Sequence, residues 1–270
     1  MTNQPIKNLI DALQQKIRSA PEGLNVEALR NAVDALNLAE PRKASDKERV
    51  KIWFLLDRSG SMSNLAEDVV GGFNQFVTEQ GNMSGYAKMT TVQFDDNDPF
   101  EIIIDAQRVS QIPPLTSDIF QPRGLTPLYD AIGQLISRAD ERVADREASD
   151  KPAEDQLVIV FTDGLENASR KFSQTQVFEL IRDRRDQDWT FVFMGSNQDS
   201  YEEGHKIGLV DGNVQNYDTS SASVQDAFGG LSRGTGAYRA KPRRQRHSDK
   251  DDFFEGKKEA ENTASPDRKS

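Results

Sequence analysis

The sequence of 270 residues contains no cysteine and only two histidines, His205 and His247. Without cysteine, the chain can form neither a disulfide framework nor a thiolate metal site. The scarcity of histidine excludes most catalytic schemes in which an imidazole acts as the general base. The sequence also lacks a Walker A string and an H-E-x-x-H string, which argues against a P-loop nucleotide site and a metalloprotease zinc site.

Long hydrophobic runs and an excess of basic residues are absent as well. No apolar run approaches the ~20 residues that a helix needs to span a bilayer. The N-terminus, Met1-Thr-Asn-Gln-Pro5, lacks the basic and apolar segments of a signal peptide. The net charge of −10 argues against a general binder of nucleic acids or anionic membranes. These absences predict a cytoplasmic protein with no membrane span and no nucleic-acid partner.

The most informative segment is an apolar, β-prone run, Val50–Leu56, that ends in Asp57-Arg-Ser-Gly-Ser61. In an extended chain every second side chain points the same way, so Asp57, Ser59 and Ser61 can converge on one point. Carboxylate and hydroxyl oxygens suit a hard divalent cation, Mg²⁺ or Mn²⁺ before Zn²⁺. Arg58, inside this loop, is expected to be exposed, where it either helps to select an acidic partner or is simply solvated.

Two later segments offer further oxygen ligands. Thr126 precedes Pro127 and reads as a helix N-cap with proline at the first helical position. The apolar run Leu157–Thr162 ends in Asp163. In an open α/β sheet, ligands bind at the carboxyl ends of the strands, and Asp57, Thr126 and Asp163 are all predicted to lie at such positions. Each of these polar residues could instead cap a helix or a turn, but their joint placement favours a metal site.

The order of these residues, D-x-S-x-S, a single threonine and then a strand ending in T-D-G, resembles the von Willebrand factor A (VWA) domain family over roughly residues 48–238. Thr162–Ser169, which reads T-D-G-L-E-N-A-S, is similar to the corresponding segment of short, stand-alone bacterial VWA proteins. The resemblance implies a metal-ion-dependent adhesion site, or MIDAS. Its metal is expected to be Mg²⁺, with Mn²⁺ as an alternative, held by Asp57, Ser59, Ser61, Thr126 and Asp163.

The resemblance also implies how such a site works. Ser59, Ser61 and Thr126 contact the metal directly, while Asp57 and Asp163 hold it directly or through water. One coordination position then remains for an Asp or Glu of a partner protein. Family relatives suggest a MoxR-type AAA+ ATPase or a component of a stress or conflict system as that partner. The alternative is a Mg²⁺-dependent phosphoester hydrolase, which needs a general base or a second metal that the sequence does not supply. We therefore expect a non-enzymatic interaction module.

Strand and helix patterns alternate through the central region, which predicts an α/β fold with a doubly wound, mostly parallel, Rossmann-like sheet and helices on both faces. Only Asp95–Phe100 separate the predicted strands 88–94 and 101–107. This connection is too short for a crossover, so these two strands must be antiparallel, at one edge of the sheet.

The two ends of the chain differ from this central domain, which we place at residues 48–239. Residues 1–47 show two short apolar patterns of helical spacing and a charged linker, which predict a helical hairpin that either packs on the domain or serves in docking. Residues 240–270 are rich in charge and poor in aliphatic side chains, which predicts a disordered, solubilising tail. The basic hexamer Lys241–Arg246 and the pair Phe253-Phe254 in this tail leave a short binding motif open.

Overall fold

The computed structural model of the protein describes Lys16, residues 49–196 and residues 200–254. The predicted N-terminal hairpin and linker, residues 1–47, lie outside the described residues except for Lys16. In the part of the chain that is described, no helix is both long and apolar enough to cross a membrane.

A six-stranded sheet forms the centre of the fold, in the order β3-β2-β1-β4-β5-β6. Its pairs are parallel except for β2 and β3, which are antiparallel and leave β3 at one edge. This confirms the predicted fold class. The strands are β1 (Arg49–Asp57), β2 (Tyr86–Phe94), β3 (Glu101–Arg108), β4 (Glu154–Thr162), β5 (Thr190–Ser196) and β6 (Val214–Tyr217).

Strand β1 is buried on both of its faces because β2 and β4 flank it and helices cover the sheet on both sides. Ile52, Phe54 and Leu56 belong to one hydrophobic core, and the alternate residues Trp53 and Leu55 belong to the other. This two-residue alternation is why a continuous apolar run, rather than a half-polar strand, occupies the middle of the sheet.

Helices supply the other half of each core. Helices α1 (Ala66–Asn82) and α5 (Ser221–Ala240) contribute to the core that contains Phe54. Helices α2 (Leu128–Ala148) and α3 (Gln174–Arg185) contribute to the core that contains Trp53. The shorter helices α4 (Ser200–Lys206) and α6 (Arg243–Ser248) follow β5 and α5.

Helices α1 and α5 approach each other closely at Gly72. A Cβ atom at this position would lie 2.2 Å from Cδ2 of Phe228, so only glycine allows the Phe228 ring to pack there. The same ring stacks on Phe161 of β4, with ring centroids 4.6 Å apart. The two helices are thus fixed against the sheet by one aromatic side chain.

Helix α2 begins later than the sequence predicted. It starts at Leu128, with Pro127 rather than Thr126 at the N-cap position and no side-chain capping hydrogen bond. Thr126 therefore lies in the loop before the helix. Its backbone is held there by Asn167.

The prediction of a disordered tail from residue 240 is wrong for residues 241–254. Residues 243–248 form α6, and the Arg246 side chain is only 1% exposed because its guanidinium group pairs with Asp155 at 2.7 Å. Phe253 is buried and packs against Tyr238 and Phe254. The basic and aromatic residues that resembled a solvated tail are thus anchors, while residues 255–270 lie outside the described residues.

Removing residues 241–270 should destabilise the domain markedly, because it leaves the carboxylate of Asp155 buried without its guanidinium partner. The substitution Arg246→Ala isolates this effect. Breaking a buried ion pair typically costs about 3–5 kcal/mol, and the neighbouring Arg243 at 2.7 Å from Asp155 should keep the loss near the lower end. Urea denaturation measures it.

The matched control is Arg244→Ala, which removes an exposed arginine from the same helix and should leave the free energy of unfolding nearly unchanged. A tail deletion that unfolds at the wild-type urea concentration would show that this segment does not stabilise the domain.

Candidate metal centre

The loop after β1 and the end of β4 bring four of the five predicted ligands into contact. The Ser61 hydroxyl donates a hydrogen bond to Oδ1 of Asp163 at 2.6 Å, and the hydroxyl oxygens of Ser59 and Ser61 are 3.0 Å apart. The backbone N–H of Ser59 donates to Oδ1 of Asp57 at 2.7 Å. The spacing of two residues along the loop therefore does place these oxygens together.

Gly164 shows that Thr126 belongs to the same cluster. A Cβ atom at Gly164 would lie 2.9 Å from the Thr126 hydroxyl oxygen, 3.6 Å from that of Ser61 and 3.7 Å from Oδ2 of Asp57. The three oxygens thus surround one small space that any larger side chain at position 164 would invade. The sequence motif T-D-G contained this glycine, but only the structure shows why a side chain is excluded there.

The two carboxyl groups are buried to an unusual degree for acidic residues. Burial raises the pKa of Asp57 to about 6, despite hydrogen bonds from the Thr162 hydroxyl at 2.5 Å and the Ser59 N–H. Burial also raises the pKa of Asp163 above its ordinary value. The negative charge of both groups is therefore unfavourable in this environment, and a bound cation would offset it.

The donor set is rich in hydroxyl oxygens. Two carboxylates and three hydroxyls fit the preference of Mg²⁺ for oxygen ligands. Across residues 49–196 and 200–254, no group of three or more His, Cys, Asp or Glu side chains is arranged to hold a metal ion. A site of the kind that zinc enzymes use is thus absent from these ranges, and the hydroxyl-rich cluster is the candidate centre.

Asn167 holds the backbone of Thr126 from both sides. The N–H of Thr126 donates to Oδ1 of Asn167 at 2.8 Å, and the N–H of Asn167 donates to the carbonyl oxygen of Thr126 at 3.1 Å. The segment that follows β4 therefore fixes the loop that carries Thr126. Sequence reasoning noted the E-N-A-S string as part of a resemblance but assigned it no role.

The segment after β4, residues 166–172, caps helix α2, and a side chain of α2 in turn binds the backbone of this segment. Glu166 accepts a hydrogen bond from the N–H of Tyr129 at 2.9 Å, and the hydroxyl of Ser169 accepts one from the N–H of Asp130 at 3.0 Å. The Asp130 carboxylate then accepts hydrogen bonds from the backbone N–H groups of residues 170–172. Negative charge at a helix N-terminus is also favoured by the helix dipole.

Arg58 is a structural residue, contrary to the expectation that it is exposed. Its side chain is only 4% exposed, and its guanidinium group contacts Asp95 at 2.6 Å and Glu101 at 2.5 Å. Asp95 also accepts hydrogen bonds from the N–H groups of Asn97 and Asp98, which closes the turn after β2. Arg58 therefore ties the loop after β1 to the β2–β3 pair.

Backbone contacts join the loop after β1 to the loop before α2. The N–H of Gly60 donates to the carbonyl oxygen of Gly124 at 3.0 Å, and the N–H of Arg123 donates to that of Arg58 at 2.8 Å. Gly124 has a φ of +68° and packs so closely on Asp96 that a Cβ would lie 1.9 Å from Oδ1. Glycine is thus required there for both conformation and space.

Comparison with solved structures finds several chains that are similar to this one. A pilus adhesin, SpaC of Lactobacillus rhamnosus GG, aligns at 13% identity over 71% of this chain and 30% of its own, with a TM-score of 0.53. Proximal thread matrix protein 1 of the mussel byssus aligns at 17% identity over 67% of this chain and 46% of its own, with a TM-score of 0.47. Manganese-loaded TRAP of Plasmodium vivax aligns at 17% identity over 66% of this chain and 72% of its own, with a TM-score of 0.46.

These similarities describe the fold alone, and the chain spans less than half the length of the first two proteins. Comparison with curated proteins found no significant sequence match. The sequence model of the von Willebrand factor type A domain, however, matches residues 51–229, which is most of the chain. Together with the sheet order and the D-x-S-x-S loop, this match confirms the predicted resemblance. The chain belongs to the von Willebrand factor type A domain family.

Proposed function

We propose that this protein is a metal-ion-dependent protein-binding module. Its centre would hold Mg²⁺, with Mn²⁺ as an alternative, through Asp57, Ser59, Ser61, Thr126 and Asp163. The observation that carries this proposal is a cluster of oxygen atoms at Gly164. Oxygens of Thr126, Ser61 and Asp57 lie in front of this glycine, and the side chains of Ser59 and Asp163 contact Ser61. Domains of this family are generally interaction modules rather than enzymes.

One of the five proposed ligands is exposed to solvent and the others are buried. Asp57, Ser59 and Thr126 are buried, whereas Ser61 is exposed, so the centre is accessible from the side of Ser61. When bound, the metal would supply a positive charge and an open coordination position for a carboxylate of the partner. The residues of this chain supply the fixed oxygen frame, which Arg58 and Asn167 hold in place through the loops.

Two exposed leucines flank the centre and define the surroundings of that carboxylate. Leu125, next to Thr126, is 51% exposed, and Leu165, next to Gly164, is 53% exposed. Large apolar side chains with such exposure beside a polar centre are typical of a contact surface. The partner is therefore expected to present an Asp or Glu with apolar side chains next to it.

Neither histidine supplies a general base for the alternative function, a phosphoester hydrolase. His205 pairs with Asp211 at 2.6 Å, and His247 pairs with Asp155 and Asp188, so neither imidazole belongs to the cluster. The partner class remains a proposal by family analogy: a MoxR-type AAA+ ATPase or a component of a stress or conflict system. The chemistry of the centre itself predicts only that the partner presents a carboxylate.

Millimolar Mg²⁺ should raise the melting temperature of the protein, because a ligand that binds only the folded state stabilises it, by about 3 kcal/mol at ~100 times its Kd. Asp57→Asn should abolish this increase. The metal-free variant should melt no lower than the metal-free wild type, because a neutral amide replaces a buried carboxylate and can still accept the hydrogen bond from Ser59.

Asp118→Asn serves as the control, since it removes the same charge from an exposed position and should retain the full response to metal. A wild-type melting temperature that does not respond to millimolar Mg²⁺ or Mn²⁺ would rule out the proposed centre.

Asn167→Ala should weaken metal binding about tenfold, as is typical when a residue that orients a ligand is lost. The variant removes the acceptor that holds the N–H of Thr126 but leaves the caps made by Glu166 and Ser169. Isothermal titration with Mg²⁺ measures the affinity, and Asn82→Ala, at an exposed position, is the control. Equal affinities in both variants would show that Asn167 does not position Thr126.

Partner binding should require the cation and the Thr126 hydroxyl together. Affinity capture from cells of the native host with wild-type protein in Mg²⁺ should retain a protein that is lost with chelator and with Thr126→Ala. Thr116→Ala, at an exposed threonine, should retain it. In the captured protein, one acidic residue changed to its amide should reduce binding as much as chelation does, because a neutral amide oxygen is the weaker ligand.

Capture that is equally strong in chelator would mean that the recognition surface lies away from the candidate centre. Capture that needs the metal but survives Thr126→Ala would remove Thr126 from the proposed contact.

A further inference from the structure

A cavity lies at the opposite end of the sheet from the candidate metal centre. Its lining includes Arg49 and Tyr86, where β1 and β2 begin, and Asp105 near the end of β3. The cavity has a volume of about 540 Å³, which is in the range of small-molecule sites. No residue proposed for the metal centre contributes to it.

The lining of this cavity is cationic in a protein whose net charge is −10. Six basic side chains line it, and the acidic side chains in the lining are Asp105 and Asp145. Glu154 adds a third carboxylate behind Arg142 and Arg146, which it contacts at 2.9 Å and 3.3 Å. The cations still outnumber the carboxylates, so the local potential is opposite in sign to that of the whole chain. The basic residues are Arg49, Lys88, Arg138, Arg142, Arg146 and Lys151.

Several of these cations are not neutralised by residues in the described part of the chain. Arg49, Lys88 and Lys151 form no ion pair with a carboxylate among the residues that the structure describes, and the buried Nε of Arg49 has no hydrogen-bond acceptor. Arg138 has only long contacts, 3.7 Å to Asp105 and 3.5 Å to Glu141. Positive charge with unused donors is thus available to a ligand.

A buried lysine lies next to Trp53 of the cavity lining. Lys51 is fully buried in β1, where its amine donates to the Thr90 hydroxyl. Burial first, and the nearby Arg142 second, lower the pKa of Lys51 well below its usual value. An anion in the cavity would favour the protonated form of this amine.

The backbone at the rim is fixed in an uncommon conformation. Ala106, which lines the cavity, has a φ of +49° at an irregularity in the pairing of β2 with β3. Its N–H donates to the Thr90 hydroxyl at 3.0 Å, the same hydroxyl that accepts from Lys51. A non-glycine residue in the left-handed region is strained and persists because its surroundings hold it.

We propose that this cavity binds a small molecule that carries phosphate groups. Guanidinium groups match phosphate oxygens in charge and in planar, two-pronged geometry. Basic side chains already lie over the two aromatic rings of the lining. These rings are therefore not free to stack on a nucleotide base, which leaves the phosphate groups as the part of a ligand that the cavity recognises. Arg49 and Arg108 each lie 4.4 Å from the Tyr86 ring centroid, and Lys51 lies 4.2 Å from that of Trp53.

The test is isothermal titration of the full chain, free of divalent metal, with inorganic pyrophosphate at constant ionic strength. Lys88→Glu combined with Arg138→Glu should weaken pyrophosphate binding at least about tenfold, because charge-assisted hydrogen bonds are lost. Lys151→Glu, in the loop before β4, should weaken it as a separate variant. Arg182→Glu is the matched control, since it reverses an exposed charge on α3 away from the cavity.

Two further arms identify the source of the phosphate and the location of the site. Adenosine diphosphate that binds as tightly as pyrophosphate supports recognition of phosphates alone, and tighter binding supports a nucleotide. Asp57→Asn should bind pyrophosphate like the wild type, which keeps this site distinct from the metal centre. The proposal is overturned if pyrophosphate does not bind, if Arg182→Glu weakens binding as much as the cavity variants, or if Asp57→Asn abolishes it.

Discussion

The parallel pairing of β1 with β4 is the constraint on which the candidate metal centre depends. Leu56 lies opposite Phe161 in this pairing, so both strands end at the same height, and Asp57 and Asp163 follow at the same end of the sheet. Both strands are buried on two faces, so a shift in register would move large apolar side chains as well as the carboxylates. The hydrophobic core thus holds two acidic groups in a place where burial alone disfavours their charge.

Burying the two carboxylates lowers the stability of the metal-free domain, and a bound cation would offset this loss. A carboxyl group whose pKa is raised to about 6 by burial destabilises the folded state when it is ionised, and Asp57 is such a group. The surrounding loops resist the rearrangement that would expose it. Arg58 ties one loop to Asp95, and Asn167 holds the other loop at Thr126. Functional sites commonly lower the stability of the folded state in this way, and the rigid structure around them keeps the unfavourable arrangement in place.

The two ends of the sheet carry opposite chemistry. Carboxyl and hydroxyl oxygens converge at the carboxyl ends of the strands, whereas cations converge where β1 and β2 begin. Strand β4 connects the two, because it begins at Glu154, which partners Arg142, and ends beside Asp163. The C-terminal segment is fixed near the cationic end through Arg246 and Asp155. The single sheet therefore supports a proposed metal centre and a proposed phosphate site that share no residue.

The sequence by itself determined the first strand, the antiparallel edge and the candidate ligands, because these depend on short-range patterns. The apolar run before Asp57, the spacing to Ser59 and Ser61, and the short connection at 95–100 are local features, and they correctly predicted the strand, the loop and the antiparallel edge. Local periodicity needs no knowledge of distant residues, and this is why it was sufficient.

Only the tertiary structure decided which charged residues are buried and which are exposed to solvent. Arg58 and Arg246 are both buried, because each meets a carboxylate far away along the chain, Asp95 across 37 residues and Asp155 across 91. Thr126 lies before its helix rather than at its cap, because Asn167, 41 residues later, holds its backbone. A charge is solvated or buried according to whether a partner reaches it, and that depends on contacts between segments that a local sequence pattern does not contain.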